Sequence, residues 1–73
     1  MITRREQMLN LTADIRAEMS VIRRELAKID AEMDNIRNPT VRLVRLSDRR
    51  WDLTARFNML CRQMDARVNA FAA

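Results

Sequence analysis

A chain of 73 residues has room for one small domain, and this one contains no glycine, no histidine, one proline and one cysteine. It therefore offers neither an internal disulfide nor a zinc-binding set, and so small a core needs a partner for stability. The net charge of +4 arises in the second half, because residues 1–38 carry seven basic and seven acidic side chains, whereas residues 39–73 carry seven arginines against three aspartates.

The composition argues against catalysis. Histidine and glycine-rich phosphate loops are absent, and no nucleophile has a recognisable base beside it. We therefore predict no enzymatic activity, cofactor, metal or small-molecule substrate. No apolar run has the length of a signal peptide or a membrane span. With a single thiol, this indicates a cytoplasmic protein without a membrane partner.

The first helix is predicted over about residues 3–37. Thr3 is a good N-cap, and Glu6 three residues later completes a capping box. Apolar side chains then follow a heptad repeat, typical of coiled-coil packing, which we call the seam. Its d positions are Met8, Ile15, Ile22, Ile29 and Ile36, and its a positions are Thr12, Met19, Leu26 and Met33.

The only proline, Pro39, predicts a tight turn at about residues 38–40, because proline is tolerated only in the first turn of a helix. A second helix is predicted over about residues 40–71. Its a positions are Leu43, Arg50, Phe57, Met64 and Phe71, and its d positions are Leu46, Leu53, Leu60 and Arg67. The heptad count jumps across Pro39, which favours two helices folded against each other over one continuous coiled coil.

The predicted fold class is all-α, a coiled-coil-like antiparallel two-helix hairpin that forms a single domain over residues 1–73. Folding at Pro39 places apolar seam residues opposite one another, apart from Arg50 opposite Ile29 and Arg67 opposite Thr12. These arginines either set the register, with their heads reaching Asp30 or Asp14, or form polar layers that help to set the oligomeric state.

Complementary charges flank the predicted seam. In antiparallel coils the g positions face one another, and here glutamates on the first helix face arginines on the second. Together with Arg50, these residues are predicted to fix the inter-helix register: Glu18, Glu25, Glu32, Arg42, Arg49 and Arg56.

The second helix has another apolar stripe on its outer side, formed by Val44, Trp51, Ala55 and Met59. One flank is also poor in charge, with Ser47, Thr54, Cys61 and Val68. Such surfaces favour dimerisation into a four-helix bundle. Trp51 is either a flank residue covered by a second copy or an anchor for another protein.

We therefore predict a protein–protein interaction module, a small regulator or inhibitor, with Val44, Trp51 and Met59 as anchors and Arg45 and Arg62 as nearby charges. Its partner is a second copy, another protein, or both. The alternative is a basic regulator that binds RNA or DNA through its arginines. In plan the chain resembles the Rop-like hairpins, which dimerise into bundles and bind RNA. That resemblance concerns architecture and carries over no residues.

Overall fold

The computed structural model describes residues 2–38 and 40–72, and within those ranges all regular structure is α-helical. The prediction of an all-helical chain is confirmed. The described residues form three helices where the sequence predicts two: α1 (Arg4–Leu11), α2 (Ala13–Asp34) and α3 (Val41–Ala72). No helix in the described part of the chain has the length and apolar character needed to cross a membrane.

The N-terminal capping box of α1 is confirmed. The backbone N–H of Glu6 donates to Thr3 Oγ1 at 3.2 Å, and the backbone N–H of Thr3 donates to Glu6 Oε2 at 3.4 Å. Two N–H groups at the start of the helix are thereby satisfied, as this sequence pattern implies.

The continuous first helix predicted over residues 3–37 is interrupted at Thr12, whose φ of −107° and ψ of 2° depart from helical values. The Thr12 hydroxyl donates to the carbonyls of Met8 at 3.1 Å and Leu9 at 3.4 Å, and Arg16 Nη2 donates to the Leu9 carbonyl at 2.6 Å. Side-chain donors of this kind compete with the backbone and bend helices. The heptad repeat runs through Thr12 without a gap and so does not reveal this break.

The end of α2 and the start of α3 differ slightly from the predicted bounds. α2 ends at Asp34, and the N–H of Asn35 donates to the Glu32 carbonyl at 3.2 Å, an i−3 bond that tightens the last turn. The turn predicted at Pro39 lies outside the described residues. α3 begins at Val41, and Thr40 Oγ1 accepts from the N–H of Leu43 at 3.3 Å.

Helix α2 packs lengthwise against α3, and their contacts run in opposite order along the two segments: Glu32 with Arg42, Glu25 with Arg49, Glu18 with Arg56. The buried hydrophobic residues all occupy predicted seam positions: Ile15, Met19, Ile22, Ile29, Leu53 and Leu60. Leu60 is only 1% exposed, and α1 contributes no buried residue. Because the helices form a single layer, each keeps one side in solvent.

Candidate interaction surface

One flank of the α2–α3 contact carries a row of three ion pairs. The distance from the arginine Nη2 to the glutamate Oε2 is 3.1 Å for Arg42–Glu32, 3.0 Å for Arg49–Glu25 and 2.9 Å for Arg56–Glu18. The six side chains are between 40% and 71% exposed, so each pair is worth at most about 1 kcal/mol. The structure thus brings together the residues predicted to set the register, and their effect on alignment remains a prediction.

The other flank is linked through Arg50, which occupies a seam position. Its Nε donates to Asp30 Oδ1 at 2.8 Å, and both side chains of this pair are about half exposed, 49% for Arg50 and 52% for Asp30. The hydroxyl of Thr54 donates to the Arg50 carbonyl at 2.8 Å. Arg50 therefore joins α3 to α2 on the side opposite the glutamate row.

Arg67, the second seam arginine, reaches the break between α1 and α2. Its Nη1 donates to the Leu11 carbonyl at 2.8 Å and to Asp14 Oδ1 at 2.7 Å. The hydrogen bond from Arg67 is the main reason that the pKa of Asp14 lies below its ordinary value, with backbone N–H groups adding to the effect and desolvation opposing it. One guanidinium thus contacts the end of one helix and the first turn of the next.

The side of α3 that faces away from the seam remains open. We call it the outer face, and it consists of seven exposed residues at three- and four-residue spacing: Val44, Asp48, Trp51, Ala55, Met59, Arg62 and Ala66. Trp51 is 76% exposed, Val44 60% and Met59 52%. Arg45 is exposed at its edge. The five residues predicted to bind a partner therefore lie on one helix, at or beside one face.

A basic surface lies on α2, and three of its cations, Arg16, Arg23 and Arg24, belong to the arginines that the nucleic-acid alternative invokes. We call it the basic face: Arg16, Arg23, Arg24 and Lys28, interleaved with the small residues Ala13, Ala17, Ser20, Ala27 and Ala31. All nine are exposed, and the four cations form no ion pair within residues 2–38 and 40–72. Five carboxylates of α2 instead pair with arginines of α3, which leaves the uncompensated positive charge on α2.

Two contacts between arginines and phenylalanine rings were not predicted from the sequence. The guanidinium carbon of Arg23 lies 5.3 Å from the centroid of the Phe57 ring, and that of Arg4 lies 5.4 Å from the centroid of Phe71. Both distances fit cation–π contacts. In the sequence, each phenylalanine stands at a seam position. This predicts that its ring packs between the helices, but it does not identify the arginine that lies over the ring.

The described residues contain no group of three or more side chains suited to hold a metal ion. Cys61 is a half-buried free thiol that packs against the core. Comparison with protein-family models, with curated proteins and with solved structures gives no match to this chain.

Proposed function

We propose that this chain is a non-enzymatic protein–protein interaction module, a small cytoplasmic regulator or inhibitor that acts by binding. Its working unit is an antiparallel helical hairpin, and it associates through the outer face of α3, either with a second copy to give a four-helix assembly or with another protein. The observation that carries the proposal is the 76% exposure of Trp51 between the exposed side chains of Val44 and Met59.

The outer face is not needed to complete the fold. The buried core lies between α2 and α3, and Trp51 contributes nothing to it. Exposed apolar patches of this kind mark binding surfaces, and tryptophan is the residue type most enriched among the side chains that dominate binding energy. Arg45 and Arg62 supply charges around this apolar centre.

The test compares Trp51→Ala with Val21→Ala, which removes a 46% exposed apolar side chain from α2. Tagged chains are expressed in cells, and the proteins that copurify, including untagged copies of the same chain, are quantified by mass spectrometry. Trp51→Ala should weaken association by about tenfold or more, since anchors of this type contribute roughly 2 kcal/mol. Circular dichroism should show unchanged helix content. Equal association by both variants would contradict the proposal.

The second candidate function is binding of RNA or DNA, and the basic face of α2 favours it. Two of its guanidiniums are held in place, Arg23 over Phe57 and Arg16 against the Leu9 carbonyl. Pre-positioned cations on a surface of small side chains suit close approach to a phosphate backbone, which is recognised chiefly through its charge.

A further inference from the structure

We infer that the outer face of α3 binds a second copy of this chain, with the two α3 helices antiparallel about a twofold axis beside Ala55. The inference rests on the proposed function and specifies the partner. All seven residues of the outer face are exposed, and its spacing of four, three and four residues is repeated on either side of Ala55. An antiparallel pair centred there would bring each residue opposite its counterpart on the second copy.

The apolar residues match under this operation. Trp51 lies four residues before Ala55 and Met59 lies four after it, so the indole of each copy would pack against Met59 of the other. Methionine sulfur makes favourable contacts with aromatic rings. Ala55 at the centre would meet itself, and this small residue permits an interaxial distance of about 8 Å.

The charges match as well. Asp48 and Arg62 lie seven residues before and after Ala55, about 10 Å along the helix at 1.5 Å per residue. The twofold axis would therefore place Asp48 of each copy opposite Arg62 of the other and form two ion pairs. Neither residue has an ion-pair partner in the part of the chain that the structure describes.

This symmetry is the reason for choosing a second copy over a foreign protein. An isologous interface must be complementary to itself, so each of its residues needs a suitable counterpart at the same distance beyond the axis. The outer face meets this requirement at every layer: Ala55 with Ala55, Trp51 with Met59, Asp48 with Arg62 and Val44 with Ala66. A surface for an unrelated partner needs no such correspondence.

The resulting dimer has its helices in the order α2, α3, α3, α2. A bundle around one common core would instead bury the flank that carries Ser47, Thr54 and the half-buried Cys61. The two arrangements bring different residues to the axis, and cysteine cross-linking distinguishes them.

The first experiment is sedimentation equilibrium of the purified chain with reversed charges. Asp48→Arg alone and Arg62→Asp alone each place like charges in contact at two sites, and each should raise the dimer dissociation constant by about tenfold. The double variant should return to within about threefold of the wild-type value. Asp34→Arg with Arg24→Asp on α2 is the matched control and should change the dimer dissociation constant little. A monomeric wild type, or no recovery in the double variant, overturns the inference.

The second experiment locates the axis. In a Cys61→Ala background, Ala55→Cys should oxidise readily to a disulfide-linked dimer, because a disulfide requires Cα atoms within about 7 Å. Ala66→Cys should not, since the two copies of that residue would lie roughly 33 Å apart. A dimer that cross-links through Cys61 in the wild type and not through Ala55→Cys overturns the inference, while association with another protein through Trp51 would still support the proposed function.

Discussion

Thr12 and Arg67 explain why a seam can contain a threonine opposite an arginine. The Thr12 hydroxyl bonds back onto α1, and Arg67 then bonds the carbonyl at the end of α1 and the carboxylate at the start of α2. The sequence indicated an aspartate as partner for Arg67. It could not indicate the Leu11 carbonyl, because backbone acceptors become available only where a helix breaks.

The Arg67–Asp14 contact predicts a pH dependence. Because the pKa of Asp14 is lowered in the folded state, its contribution to stability is present above its ordinary value of about 3.9 and is lost as the pH falls through the lower folded value. Arg67→Met should lower the melting temperature at neutral pH, and this deficit should shrink as the pH falls through the lowered folded-state pKa of Asp14, because protonation removes the charge that Arg67 contacts.

Thermal unfolding followed by circular dichroism from neutral pH downwards measures this deficit. Arg45→Met is the matched control, because Arg45 is exposed on the same helix and forms no ion pair among the described residues. A deficit for Arg67→Met that stays constant down to the lowest pH would show that the loss is one of packing and not of the bond to Asp14.

At the scale of the helices, the heptad repeat was sufficient to predict the all-helical fold and the residues of the core. Every buried hydrophobic residue stands at a predicted a or d position. The repeat indicates which side chains point towards the other helix. A local break that does not change this orientation leaves the repeat intact and so cannot be seen in it. The interruption at Thr12 is such a break, since Ile15 and Met19 beyond it are still buried.

The glutamate and arginine rows predict a recoverable loss of stability. Changing Arg49 and Arg56 to glutamate should place like charges beside Glu25 and Glu18 and lower the melting temperature. The free energy of unfolding should fall by roughly 0.5–1 kcal/mol for each pair that is lost. Adding Glu25→Arg and Glu18→Arg should recover part of the loss. Thermal melts at low and high salt measure both steps, and simple additivity of the two double changes would contradict direct pairing.

At the scale of the whole molecule, two surfaces of different chemistry lie at opposite edges of the layer that α2 and α3 form: the outer face of α3 and the basic face of α2. The outer face was predictable because its spacing is visible within one helix. For the basic face the sequence indicated three of the arginines but not that their charge is uncompensated, since the excess charge falls in the second half of the chain. Only pairing between helices shows that the arginines of α3 are largely neutralised by carboxylates of α2.

If the chain also binds nucleic acid, the basic face should carry the contact. Titration with mixed RNA and DNA fragments at low and moderate salt should show affinity that falls steeply as salt rises, because bound counterions are released. Arg24→Ala with Lys28→Ala should weaken binding about equally for all sequences and reduce the salt slope. Arg45→Ala with Arg62→Ala is the matched control on α3, and an equal effect of both pairs would contradict a site confined to the basic face of α2.

The glutamates and the arginines of the three ion pairs each repeat every seven residues, so most of these pairs could also form in a shifted alignment of the two helices. If α3 slid along α2 by seven residues, two of the three pairs would form again with shifted partners. Asp30 does not fit this repeat, because the residues one heptad to either side of it are Arg23 and Arg37. Any such slide would set Arg50 against another arginine, so we expect Asp30 to favour the native alignment over its nearest competitors.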